Sequence, residues 1–246
     1  MADVQLFQPG NYRFITHAFQ YSGGIETLEG YGVERARFAK PLKLAEGFAA
    51  AEAHMARLGR PPTAFCACEL RSPGQFTDQG FIDFNRHYVQ QLATWGIFHD
   101  EINPVARSNV CPEIDPPSEP SFYAFSYTVP GHGGFVIAGS GEAGGTGGPY
   151  GGRTVRLGDQ SPDAMREKAH FVLGAMEERM GKLGKTWADV TETQLYTIFD
   201  IHPHFADEFI RRGAAPGGLT WHYARPPVKG LDYEVDVRGV TKELVI

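Results

Sequence analysis

The sequence has only three cysteines, Cys66, Cys68 and Cys111, an odd number and too few for a disulfide framework. A reducing, cytoplasmic setting is the expectation that follows. Positive charge is also short: 23 Lys and Arg stand against 29 Asp and Glu, a formal charge of −6. Binding nucleic acid requires a basic face that neutralises phosphates, so no nucleic-acid partner is expected. There is no apolar run long enough for a membrane span, and no leader of basic, then apolar, then small residues; neither membrane insertion nor secretion is expected. What is present is ordinary for a soluble globular protein, with 42% hydrophobic and 21% charged residues. The length of 246 residues admits one large domain or two small ones.

The pattern along the chain repeats. In the first half, residues 13–20 and 33–39 read as strands with Gly-rich and acidic turn residues between them. Residues 42–58 carry apolar side chains at helical spacing and are stopped by Gly59 and Pro61-Pro62. Residues 63–70 form a β-type run. Residues 75–95 read as a second helix, with Phe76, Phe81, Phe84, Tyr88 and Leu92 along roughly one face. Residues 107–110 and 122–129 close this half as strands. The second half follows the same order: a strand at 135–138, a helix opened by Ser161 and Pro162 and ended by Gly184, a strand at 190–199, a short helix at 204–212, and strands at 219–223 and 232–237. Both halves read β-β-α-β-α-β, an α+β fold with helices on one face of each mixed sheet, divided as residues 1–130 and 131–246. A repeat of roughly 110 residues is a duplicated domain, because solenoid units are far shorter. Residues 130–152 hold eleven of the thirty glycines and are either a linker with a loop or a cover over a site.

Several motifs invite chemistry. Gly139-Ser140-Gly141-Glu142-Ala143-Gly144 matches the dinucleotide fingerprint, but that motif needs a helix N-terminus to receive the pyrophosphate. The chain continues Gly145-Thr146-Gly147-Gly148-Pro149, which cannot open a helix, so no nucleotide cofactor is expected. His202, His204 and His222 have no carboxylate or cysteine at a helpful spacing, and no metal is expected. Period-two geometry puts Cys66 and Cys68 on one strand face, where buried apolar cysteine is the plain reading. Arg107 is ambiguous on chemistry alone. Its guanidinium suits a bidentate carboxylate ligand, and it also suits an ion pair with Glu101 or Glu113.

The segment Pro104-Val105-Ala106-Arg107-Ser108-Asn109-Val110, followed after a proline-rich turn by an aromatic strand, resembles the RidA/YjgF family of trimeric proteins that hydrolyse enamines and imines. The chain is read as a tandem pair of such domains, whose fold is of the chorismate mutase-like type. Position by position, the resemblance implies that Arg107 grips a substrate carboxylate and that Asn109 contacts the ligand. Gly10-Asn11-Tyr12 is similar to the family's Gly-Pro-Tyr, which makes Tyr12 a pocket residue. Residues 81–88 are similar to its second helix, which does the same for Asn85. Ser140-Gly141 resembles a pocket Ser-Gly, and beyond Ala224-Arg225-Pro226-Pro227 the glutamate that positions water falls on Glu234.

The losses are complementary. The first half lacks the glutamate, since Phe122 or Tyr123 stands there, and the second lacks the arginine, replaced near Gly218. The resemblance therefore implies one composite site, Arg107, Asn85 and Asn109 facing Ser140, Gly141 and Glu234, within or between chains. The implied reaction is cofactor-independent hydrolytic deamination of a carboxylate-bearing enamine or imine, either a 2-imino acid or a 2-aminomuconate-like compound. A homo-oligomer, with a trimer favoured, is implied too. Two other readings stay open: a chorismatase-like hydrolase or lyase, and a non-catalytic carboxylate-binding protein. The aromatics Phe14, Phe19, Tyr21, Phe122, Tyr123 and Phe125 line either a pocket or the core.

Overall fold

A computed structural model describes residues 3–145 and 148–246. In chain order it contains β1 (Val4–Phe7), β2 (Tyr12–Ile15), β3 (Gly24–Thr27), β4 (Tyr31–Lys43), α1 (Leu44–Arg57), β5 (Phe65–Arg71), α2 (Asp78–Thr94), β6 (Ala106–Pro112), β7 (Ser121–Pro130) and β8 (Phe135–Gly141). It continues with α3 (Pro162–Lys182), β9 (Glu192–Tyr196), α4 (His202–Phe205), β10 (Leu219–His222), β11 (Ala224–Arg225), β12 (Glu234–Gly239) and β13 (Lys242–Val245). Local signals set the helix ends. The Ser161 hydroxyl accepts from the Ala164 amide at the start of α3, and Gly184 follows its end at φ +72°. Thr77 caps α2 by accepting from the Gly80 amide, so that helix starts three residues later than its apolar pattern suggests. The expected helix over 204–212 is instead one α-turn followed by a π-turn, Ala206–Ile210, which buries Phe209.

Two mixed sheets carry the helices. The seven-stranded sheet runs β1-β2-β3-β8-β12-β9-β10, and the six-stranded sheet runs β11-β6-β5-β7-β4-β13. The two parallel pairs in the second sheet are β5 with β6 and β13 with β4; β9 with β10 is parallel in the first. Strands cross between the halves of the sequence. The N-terminal strands β1, β2 and β3 extend the sheet of the second half through β8, while β11 and β13 flank the sheet of the first half. Each sheet is thus completed by strands from the other half, a pairing that the strand-by-strand sequence pattern did not anticipate.

The layers follow from which faces are apolar. Phe48, Ala51 and Met55 of α1 and Tyr88, Val89 and Leu92 of α2 pack on Phe65, Leu70, Phe122 and Phe125 of the six-stranded sheet. Ala169, Val172, Leu173 and Met176 of α3 pack on Ile137, Leu195, Val235 and Val237 of the other. The remaining sheet faces meet each other around Tyr12, Phe14, Ile25, Val33, Cys66 and Ala138. Helices therefore cover one face of each sheet, and the sheets lie back to back between them. Part of that inner seam is ionic. Arg35 pairs with Glu69, and Gln194 bridges Glu69 and Asp236 at 3.1 and 3.0 Å. A register shift in β5 between Phe65 and Ala67 also breaks the period-two expectation for the cysteines. Cys66 lies in the seam between sheets, while Cys68 belongs to the cluster under the helices. Burial pushes both thiols up, Cys68 to about 12, so neither is a nucleophile at neutral pH.

Candidate active site

The first half of β6 and the start of β12 come together at the edge of this seam. Together they enclose a recess of about 30 Å³ lined by Arg107, Asn109, Gly139, Gly141, Tyr21 and Glu234, among others. Arg107 is 2% exposed, and none of its three guanidinium nitrogens has a hydrogen-bond partner. The two acids considered as ion-pair partners are taken: Glu101 pairs with Arg86 and Glu113 with Arg225. Aromatic faces surround the guanidinium instead. Its central carbon lies 4.7 Å from the Tyr88 ring centre, 5.4 Å from Tyr21, and 5.7 Å from both Phe81 and Phe84. A buried cation with open donors is costly, and it is the arrangement expected of a group that waits for an anion.

Glu234 is 4% exposed at the first position of β12. Burial drives its carboxyl well above the usual range, the Asp236 charge adds to this, and Arg107 opposes both. The net shift favours the protonated carboxyl. Gly139 on β8 makes room for it, since a Cβ there would overlap the Glu234 carboxyl and press on Ser108. The strand just before Glu234 is pinned. The Glu142 carboxylate accepts the backbone amides of Asp232 and Tyr233 at 2.6 and 3.0 Å, and Lys168 reaches Asp232 at 2.5 Å and Glu142 at 3.4 Å.

Past Tyr21, Phe81, Gly141, Tyr150 and Leu231 the recess widens into a cavity of about 420 Å³, within the range of small-molecule sites. One side of α3 lines it with Phe171, Ala175, Glu178, Arg179 and Lys182, residues at helical spacing. The Gly-rich segment lines another side with Ala143, Gly144, Gly145, Gly148, Tyr150 and Arg153. Of the two readings of that segment, its described residues thus take the second, a wall of the cavity. His17 stacks on Tyr21 and is held down to about 3 by burial and by Arg179, Arg153 and Lys182, so it is neutral.

The residues singled out in the sequence fall into three groups. Arg107, Asn109, Gly141 and Glu234 share the inner recess, within one chain. The Asn109 side chain accepts from Ser72 at 2.9 Å and has a free amide donor. Ser140 lines the outer cavity together with Gly141. Tyr12 and Asn85 are not brought to either. Tyr12 is fully buried in the seam between sheets and donates to the Phe65 carbonyl, while Asn85 is fully buried on α2 and donates to the Phe81 carbonyl at 2.5 Å. Of the six aromatics singled out in the sequence, Tyr21 alone lines the cavity; Phe14, Phe122 and Phe125 are core. The three histidines have separate partners: Asp200 for His202, the Tyr233 hydroxyl for His204, and Gln194 for His222. Arg179, Arg153 and His17 went unnoticed in the sequence. Their only signal was spacing on α3 for Arg179, and none for the other two.

Comparison with known proteins gives this geometry a family. Residues 4–244 match the family model described as 2-aminomuconate deaminase CnbZ. The 2-amino-5-chloromuconate deaminase of Comamonas testosteroni is 52% identical over 251 residues, with all of both chains covered. Among solved structures, the YjgF gene product from E. coli is 17% identical, covering 44% of this chain and 80% of its own at a TM-score of 0.31. A member of the YjgF/YER057c/UK114 family from Mycobacterium tuberculosis is 19% identical, covering 44% and 79% at a TM-score of 0.29. A family of deaminases takes the first of the three functional readings, an enzyme acting on C–N bonds. The chain belongs to the 2-aminomuconate deaminase CnbZ family.

Proposed function

We propose that the enzyme deaminates a 2-aminomuconate-type enamine, with Arg107 holding the carboxylate beside the amino group and Glu234 moving the protons. The observation that carries this reading is a buried, unpartnered guanidinium sharing a recess with a buried carboxyl whose proton affinity burial raises. An enamine is nucleophilic at carbon and must first become an iminium. The neutral Glu234 carboxyl donates its proton to the enamine carbon, and the double bond shifts to carbon–nitrogen. The Glu234 carboxylate left behind then accepts a proton from water as its oxygen bonds to the iminium carbon. The resulting carbinolamine expels ammonia and becomes a ketone, and Glu234 is again neutral. Substrate and one water give a keto acid and ammonia, and the steps use only water and side chains. The raised proton affinity of Glu234 suits the first step by keeping a proton on the acid, and makes the carboxylate left behind a stronger base for the second. Arg107 supplies orientation by fixing the carboxylate next to the reacting carbon.

The test follows ammonia release from 2-aminomuconate against the spontaneous rate. Wild type is expected to accelerate it, Arg107→Gln to lose affinity, and Glu234→Gln to lose turnover while still binding the substrate. Undiminished turnover in Glu234→Gln would sink the mechanism.

A further inference from the structure

Arg107 is one of three arginines at the cavity that pair with no carboxylate among the described residues; the others are Arg179 and Arg153. Arg179 projects from α3, donates to the Ala138 carbonyl at 3.0 Å, and reaches toward the Ser140 hydroxyl at 3.5 Å. Arg153 lies over the Tyr150 ring at 4.3 Å, donates to the carbonyls of Gly144 and Gly145, and keeps a buried Nε without a partner. The acids on the cavity wall are occupied elsewhere. Glu178 pairs with Lys182 at 2.6 Å, and the Asp78 carboxylate accepts the Tyr150 amide. The outer chamber thus sets Arg153, Arg179 and Lys182 against two acids, neither of which pairs with an arginine, and the Tyr21 and Tyr150 rings stand between it and Arg107.

We infer that Arg179, assisted by Arg153 and the Ser140 hydroxyl, forms a second carboxylate subsite that seats the far carboxylate of a linear dicarboxylate and discriminates against monocarboxylates. The inference rests on the deaminase reading of the same cavity and adds to it the residues that select substrate. Three observations support it independently of that reading. Two cationic poles, Arg107 buried and Arg179 half-buried, flank adjoining cavities that share five lining residues. The larger cavity is of small-molecule size. The narrow waist between them is walled by the flat faces of Tyr21 and Phe81, suited to a planar conjugated chain. The subsite also explains why α3, which carries no group of the proposed chemistry, turns a charged side toward the recess. A substrate with a single carboxylate satisfies Arg107 and leaves Arg179 without an anion. A dicarboxylate satisfies both, and its two ends fix the reacting carbon along the axis between them.

The experiment uses unreactive probes of equal chain length, muconate with two carboxylates and sorbate with one, titrated calorimetrically into the full-length protein. Wild type is expected to bind muconate at least about tenfold more tightly than sorbate, the worth of one charge-assisted bidentate contact. Arg179→Gln should lower muconate affinity by about that factor and leave sorbate within about twofold, whereas Arg107→Gln should weaken both. Arg179→Lys should retain part of the preference. If Arg179→Gln fails to fold, Arg153→Gln, on an irregular segment, is expected to reduce the muconate preference by itself. Equal binding of the two probes by wild type, a preference that survives in both variants, or a parallel loss of sorbate affinity in Arg179→Gln would each overturn the subsite. Failure of the deaminase reading looks different: muconate preference through Arg179, with no ammonia released from 2-aminomuconate.

Discussion

Arg107 is held by packing and by ring faces, with no hydrogen bond to its guanidinium. Cation–π contact returns about 0.5–2 kcal/mol, less than the several kcal/mol that desolvating the charge costs. Arg107→Met, similar in length and uncharged, is therefore expected to raise the melting temperature by a few degrees while lowering kcat/KM by at least about a hundredfold. Thermal denaturation and steady-state kinetics on the same preparation check both halves, and an unchanged kcat/KM would remove Arg107 from the reaction. Glu234 makes a pH-dependent prediction. Its carboxyl binds a proton more tightly folded than unfolded, so its contribution to stability is fully present below the unfolded value of about 4.3 and is lost as pH rises through the folded value. Glu234→Gln cannot ionise. The melting temperature of the variant relative to wild type should accordingly grow as pH rises from about 4 to about 8, and a difference independent of pH would contradict a raised carboxyl.

Between elements, the site depends on how the segment entering β12 is held against β8 and α3. Lys168 of α3, fully buried, neutralises Asp232 and Glu142, and Glu142 in turn holds the amides of the two residues preceding Glu234. Lys168→Met leaves two buried acids without their cation and is expected to cost about 3–5 kcal/mol in a denaturant titration. Adding Glu142→Gln should return part of that loss, because one of the stranded charges is then gone. Loss of this pin should also lower kcat by displacing Glu234, a change visible in the Lys168→Met protein at temperatures where it remains folded.

For the whole molecule, the decisive feature is the exchange of strands. β1 to β3 complete the sheet that carries Glu234, and β13 pairs with β4 of the sheet that carries Arg107. Residues 1–130 and 131–246 are expected not to fold separately, since each would leave a sheet edge unpaired and an apolar face of the seam exposed. Circular dichroism of the two fragments alone and mixed tests this, with recovery of structure on mixing as the expected result. An ordered, monomeric fragment 131–246 would refute it.

Periodicity, caps and turn residues in the sequence alone determined α1, α2 and α3, the main strands and their order, because these are local consequences of backbone geometry and apolar spacing. Ser161, Pro162 and Gly184 bracket α3 as read. The Pro-x-Ala-Arg-Ser segment and the position of Glu234 were legible for the same reason, since a motif survives in one dimension. Which strand pairs with which was not local. An alternating strand such as β2 satisfies its apolar face against either sheet, and only the joint packing of all layers chooses. The tertiary structure likewise decided that Tyr12 belongs to the seam and Cys66 to a different layer from Cys68. It also brought Arg153 and Arg179, far apart in the chain, to one cavity. That neither forms an ion pair is a property of three-dimensional surroundings, which no pattern along the chain records.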